Sequence, residues 1–349
     1  MSEVTFAAIS GWGMAVPERI VTNAELAPTV GADERWIVER TGIRERRIAG
    51  PDEHTSTLAV AAGRRAIESA GLAPEDLDLV IVATTTPDSL CPPTAALVQG
   101  ELGATGAGAF DLNGACAGFL IAMNVGSDLI RAGSASRVLV VGADVFSRFL
   151  DWNEPRTCVL FGDGAGAIVL EKSDEPAGLV SVVHGADGRA AGLIGIQAGG
   201  SARPASHETV AAGEHLLRMN GPRVFRAAVR TMVAAGKRAL GIAGLDSTQV
   251  DLLVSHQANQ RIVEECGARL GIPPDRVFTN VAHYGNTSAA SIPIAICEAA
   301  ADRLAPGSKV LLTAVGAGLV WAAGVLEWSR DRTAAPEGRV AAAFAGASS

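Results

Sequence analysis

The 349-residue sequence has few aromatics: five Trp, nine Phe and a single Tyr make up 4 % of it. Its core must therefore be built from aliphatic and small side chains, and 40 Gly permit close backbone packing. Paired cysteines are also lacking. Cys91, Cys116, Cys158, Cys266 and Cys297 are odd in number and widely scattered, with no CxxC pair. That speaks against a disulfide framework and a cysteine zinc site, and predicts a reduced, cytoplasmic chain. No apolar run approaches the ~18 residues of a membrane span, and Met1–Val21 lacks a charged stretch followed by an apolar one. Positive charge is in deficit. A formal net charge of −8 argues against a general nucleic-acid binder, so any basic surface must be local.

Apolar residues form 48 % of the chain, which is long enough for two domains or one large one. It also repeats itself. Ala62-Gly63-Arg64-Arg65-Ala66-Ile67, Ala70-Gly71-Leu72 and Asp78-Leu79 line up without a gap against Ala235-Gly236-Lys237-Arg238-Ala239-Leu240, Ala243-Gly244-Leu245 and Asp251-Leu252. Each copy reads as an amphipathic helix, a glycine stop, a short loop and an apolar strand. Arg137–Ala143 resembles Lys309–Val315 in the same way, and that spacing sets Cys116 opposite the loop Gly285–Ser288. The unit is too long for a solenoid, so a duplicated α/β half is expected. The halves are placed at 1–177 and 178–330. A tail over 331–349, rich in Ala, Gly, Ser and Pro, is expected to be flexible.

Three side chains suggest chemistry. Cys116 stands among small residues in Gly114-Ala115-Cys116-Ala117-Gly118-Phe119, before a predicted helix over Ala117–Ala132. A helix N-terminus favours the thiolate. His256 ends the strand Leu252–Ser255, where α/β folds put their chemistry, and Asn286 sits in a glycine turn entering a small-residue helix. Singly, each is as well explained by packing or capping; together they form a Cys–His–Asn set suited to thiol catalysis.

The Cys116 motif, Phe161-Gly162-Asp163-Gly164-Ala165-Gly166, His256-Gln257-Ala258-Asn259, Gly285-Asn286-Thr287-Ser288-Ala289-Ala290-Ser291 and Trp36–Arg46 together resemble ketoacyl-ACP synthase III of the thiolase superfamily. The resemblance runs from about Phe6 to Trp328 and implies a thiolase-like five-layered αβαβα sandwich of two similar halves. It further implies that Cys116 takes an acyl group from acyl-CoA. Malonyl-ACP then loses carbon dioxide and its enolate attacks the thioester, giving 3-oxoacyl-ACP. His256 and Asn286 would stabilise the enolate oxygen, and the backbone N–H groups of Cys116 and Ala317 would form a second oxyanion hole. Trp36, Arg40 and Arg156 fall at CoA-binding positions, Arg226, Arg261 and Arg269 at positions meeting the acyl carrier protein, and Cys91 and Phe161 at the acyl pocket. No cofactor or metal is implied; a homodimer is.

The sequence departs from the family in three places. Ala317 replaces a common glycine, Pro155-Arg156 reverses an expected order, and Cys91 stands where members limited to short starters can carry phenylalanine. The small Cys91 predicts branched or longer acyl-CoA starters. Gly162, Gly164 and Gly166 precede a strand, so close packing is expected there and not a phosphate loop. The rival readings are an acyltransferase delivering to a hydroxyl or amine, and a non-catalytic partner of the same fold. The intact Cys–His–Asn set favours condensation. Hydroxymethylglutaryl-CoA synthases and thiolases would need a glutamate or second cysteine not found at matching positions.

Overall fold

A computed structural model describes residues 5–330; the tail expected over 331–349 lies outside the described residues. Two sheets carry the architecture. The first runs, in spatial order, Phe6–Ala15, Gly164–Ser173, Arg137–Asp144, Leu79–Ala83 and Gly108–Leu112. The second runs Gly178–Ala186, Val320–Glu327, Lys309–Gly316 and Leu252–Ser255. Directions match position for position: two antiparallel pairings, then a parallel one. A parallel bridge from Val277 to Leu253 stands where the second sheet would take its fifth strand.

The repeated sequence has a physical counterpart. The helices Thr55–Ala70 and Gly221–Ala243 both stop on a left-handed glycine, Gly71 at φ 71° and Gly244 at φ 69°. Asp78 Oδ2 accepts the N–H of Arg137 at 2.9 Å, and Asp251 Oδ2 accepts that of Lys309 at 2.7 Å. Across the next strand pair, Arg137 meets Glu171 at 2.9 Å, and Lys309 meets Glu327.

Helices and sheets alternate in five layers. Gly118–Arg131 and Ser291–Asp302 lie between the sheets, in a core formed by residues of both halves. Gly118–Arg131 is apolar around most of its circumference, as a helix enclosed over most of its length must be, and only its last turn exposes charge, at Asp128 and Arg131. Its buried Ser127 satisfies its hydroxyl on the Met123 carbonyl at 2.8 Å. Thr55–Ala70 and Thr94–Leu102 cover the outer face of the first sheet, while Gly221–Ala243 and Gln260–Leu270 cover that of the second. Among the described residues no helix is long and apolar enough to cross a membrane.

The Phe161–Gly166 glycines are packing positions. A Cβ on Gly162 would lie 2.1 Å from the Tyr284 carbonyl, and one on Gly166 would lie 2.7 Å from the Ile294 nitrogen. The motif thus lets the central helix Ser291–Asp302 press onto the first sheet at Gly166, and the end of the short helix Val281–Tyr284 close against Gly162.

Candidate active site

Cys116 sits in a 3-10 turn, Ala115–Ala117, that feeds the central helix Gly118–Arg131. The second half repeats this with a turn Ser288–Ala290 feeding Ser291–Asp302, and the two turns pack against each other. Ala115 and Ser288 open the turns and share a left-handed backbone, φ 48° and 53°. Cys116 therefore corresponds to Ala289, one residue beyond the loop that the sequence spacing picked out. The side chain meeting its sulfur is Ser288, whose Oγ donates to Sγ at 3.4 Å.

The expected preference for thiolate at this helix start is reversed. Burial pushes the Cys116 thiol up to about 12. The Ser288 hydrogen bond works against this, and the nearby Asp144 carboxylate adds to it. Desolvation of this half-buried sulfur outweighs the favourable helix end.

Burial has the opposite sign for His256, lowering its imidazole to about 4, so the ring is neutral. Its position is set by the strand Leu252–Ser255 and by its own N–H, which donates to the Thr313 carbonyl at 2.8 Å. Nδ1 lies 2.7 Å from Ser291 Oγ, which also accepts the Gln257 N–H at 3.2 Å. Asn286 is clamped by its backbone: its N–H donates to the Leu160 carbonyl at 2.8 Å, and its carbonyl accepts the Gly162 N–H at 3.1 Å. Asn286 Oδ1 accepts the Ser288 N–H at 2.9 Å, which fixes the amide with Nδ2 as its donor.

Cys116, His256 and Asn286 line one cavity of about 560 Å³. Trp36, Arg40, Arg156, Phe161, Arg226, Arg261 and Ala317 line it too, so the structure gathers ten of the twelve residues marked in the sequence. The helix Glu34–Thr41, which carries Trp36 and Arg40, is tied to this wall by Asn259 Nδ2 donating to the Arg40 carbonyl at 3.0 Å. Arg156 is exposed and paired with Glu154 at 3.0 Å, and Arg261 lies over the Phe225 ring at 5.5 Å. Arg269 is not part of the lining; it pairs with Glu265 at 2.6 Å on the helix Gln260–Leu270. Cys91 is exposed and also absent from the lining.

A second cavity, about 530 Å³, meets the first at Cys116, Phe161, Ile194 and Ala317. Its walls are largely apolar and include Leu90, Phe146, Phe149, Ile196 and Leu217. The nucleophile stands between a chamber rimmed by Trp and Arg and an apolar one. Ser288, Ser291 and Asp144 were not marked by the sequence reading; small polar residues in small-residue stretches carry no spacing signal.

Comparison with known proteins agrees with this geometry. Residues 110–188 match the family model 3-oxoacyl-[acyl-carrier-protein (ACP)] synthase III, and residues 240–328 match its C-terminal counterpart. A beta-ketoacyl-[acyl-carrier-protein] synthase III of Roseiflexus sp. (strain RS-1) is 52 % identical over 325 residues, covering 93 % of this chain and 99 % of the relative. The chain belongs to the 3-oxoacyl-ACP synthase III family. It is a condensing enzyme of the acyltransferase class with a thiolase fold. The solved synthase III of Thermus thermophilus is 45 % identical with a TM-score of 0.86, covering 92 % of this chain and 99 % of that one. A priming beta-ketosynthase from the R1128 polyketide pathway is 38 % identical with a TM-score of 0.87, covering 94 % of this chain and 98 % of that one.

Proposed function

We propose that this synthase III family member performs the initiating condensation with Cys116 as acyl carrier. The sulfur attacks an acyl-CoA thioester, the acyl–sulfur bond to Cys116 forms, and CoA leaves as the thiol with the proton. Malonyl-ACP then loses carbon dioxide; the electron pair of the broken bond becomes an enolate, whose oxygen needs donors. Asn286 Nδ2 is one. The other is His256 Nε2: Ser291 already accepts from Gln257, and its own proton satisfies Nδ1, which leaves the ring proton on Nε2. A neutral, buried imidazole fits that donor role. The enolate carbon attacks the thioester, and Cys116 is released with the 3-oxoacyl-ACP product.

The observation that carries this reading is the convergence of Cys116, His256 and Asn286 on one chamber with Trp36 and four arginines on its walls. The chamber takes the pantetheine arm, with Trp36, Arg40 and Arg156 at the nucleotide end. The apolar cavity beyond Cys116 takes the acyl chain, with Phe161 on its wall; at about 530 Å³ it has room for branched or longer starters. Leu90, on its rim, is 87 % exposed, and a second copy of the chain covers that edge and the adjacent Cys91 in a homodimer.

Arg226 and Arg261 meet the acidic carrier protein at the chamber mouth. Arg269, at the other end of the helix that carries Arg261, belongs to the same surface. Intact-mass analysis after incubation with acetyl-, isobutyryl- and longer acyl-CoAs tests the proposal. An acyl adduct that is absent in Cys116→Ser and is consumed on adding malonyl-ACP is expected. A wild-type chain that never acylates refutes it, and a strong acetyl preference refutes the starter range. Transfer of the adduct to a hydroxyl or amine without decarboxylation would favour the acyltransferase reading.

A further inference from the structure

Ser288 holds a left-handed backbone, φ 53°, at the first position of the turn facing the nucleophile, and its Oγ is 3.4 Å from Cys116 Sγ. The turn is anchored from behind. Asp144, fully buried at the end of its strand, accepts the Ala289 N–H on Oδ2 at 3.1 Å. Its Oδ1 takes Thr85 N–H at 2.8 Å, Thr86 N–H at 3.0 Å, Thr86 Oγ1 at 2.8 Å and Thr84 Oγ1 at 3.1 Å. A carboxylate gripped by this many donors is a rigid post, and the Ser288 hydroxyl bonds to it as well. The post therefore fixes where that hydroxyl stands and shares its one proton with the sulfur until a thiolate forms.

We propose that Ser288 is a positioning residue for the nucleophile: its hydroxyl holds Cys116 Sγ and donates to the thiolate as it forms. A half-buried sulfur between two cavities has fewer waters to solvate a new negative charge than a free thiol has, so one fixed donor matters there. The other charges near the nucleophile are few. Asp144 is the facing carboxylate, and His256 in the same chamber is uncharged. On the elements packed against the Ala115–Ala117 turn, Lys309 and Glu327 pair with each other, as do Asp128 and Arg131 at the far end of the helix.

The proposal rests on Cys116 being the acyl-carrying nucleophile, but its test uses no acyl-CoA, so the two readings fail separately. Cys116 is alkylated with iodoacetamide across a pH series and followed by peptide-resolved mass spectrometry, which separates it from the exposed Cys91. The thiolate displaces iodide, the sulfur–carbon bond forms, and the thiol proton goes to solvent. Ser288→Ala is expected to slow Cys116 alkylation by about three- to tenfold at each pH below the thiol's midpoint, because raising a thiol's pKa costs thiolate faster than it raises nucleophilicity. Ala115 holds the same backbone conformation in this chain, so alanine is tolerated there. Ser288→Gly, which suits a left-handed φ best, is expected to slow the reaction equally. A wild-type rate in folded Ser288→Ala overturns the proposal. So does a slow Ser288→Ala beside a wild-type-like Ser288→Gly, which would assign the effect to the backbone.

Discussion

Cys116 and His256 share one chamber, and burial drives both to their neutral forms from opposite sides, the thiol up to about 12 and the imidazole down to about 4. The histidine makes this measurable as stability. Unfolded, it titrates near its ordinary 6.5; folded, it refuses the proton until about 4. As pH falls through that window the unfolded chain gains a proton that the native one lacks, so stability is lost as pH falls and fully present above about 6.5. The gap corresponds to about 3 kcal/mol. Thermal unfolding of wild type and His256→Gln between pH 7 and pH 4 should show the wild type losing more of its stability; parallel curves would contradict a neutral, buried His256. The three residue types of the site were legible because Cys, His and Asn stand out beside strand ends and glycine turns. The thiol's ionisation was not. A helix start is visible in sequence, whereas desolvation of the sulfur depends on residues as distant along the chain as Phe161, Phe225 and Ala317.

Turns and strands carry the geometry that those residues use. The strand Lys309–Gly316 ends against the nucleophile turn, and a Cβ on Gly316 would lie 2.6 Å from the Cys116 nitrogen and 2.8 Å from the Ala115 Cβ. That nitrogen is the donor assigned to the oxyanion hole. Gly316→Ala must push the turn away or distort its own strand end, costing about 1–3 kcal/mol of stability. The rate of acyl transfer to Cys116 should fall at least tenfold, measured by quenched-flow mass analysis with acyl-CoA, because an oxyanion donor acts over tenths of an ångström. A folded variant that acylates at the wild-type rate would sever Cys116 N–H from the chemistry. At this scale the sequence was most informative: matched helix–glycine–strand units around Gly71 and Gly244 became matched sheets. It set opposite Cys116 a loop that does hold Ser288, which meets the sulfur, but the position equivalent to Cys116 is Ala289, one residue further on. It also set Cys91 in a wall that a single chain does not bring to the cavity, because the loop holding it is exposed and nothing in one copy's sequence shows what lies against it.

The whole molecule carries net charge −8, yet it concentrates arginine on one side of the chamber mouth. A groove of about 890 Å³ along the helix Gly221–Ala243 is lined by Arg223, Arg226, Arg230 and Arg238, with Arg189 opposite. Its one acidic residue, Asp187, is paired with Arg189 at 2.8 Å. Arg226 lines both groove and chamber, so an acidic partner seated in the groove would deliver its arm directly toward Cys116. Arg223 and Arg230 flank Arg226 at helical spacing in the same groove, and neither lines the chamber; with Arg226 proposed to meet the carrier, they would extend that surface. The two half-reactions should therefore separate. Reversing both charges, Arg223→Glu with Arg230→Glu, is expected to raise KM for malonyl-ACP about tenfold or more at low salt while acyl transfer from CoA to Cys116 changes by less than about twofold. The difference should narrow as ionic strength rises toward physiological values, where the screening length shrinks to about 8 Å. Equal losses in both half-reactions would mean that the groove serves CoA or the fold, and a salt-independent loss would mean that the arginines act by shape and not by attracting an acidic carrier.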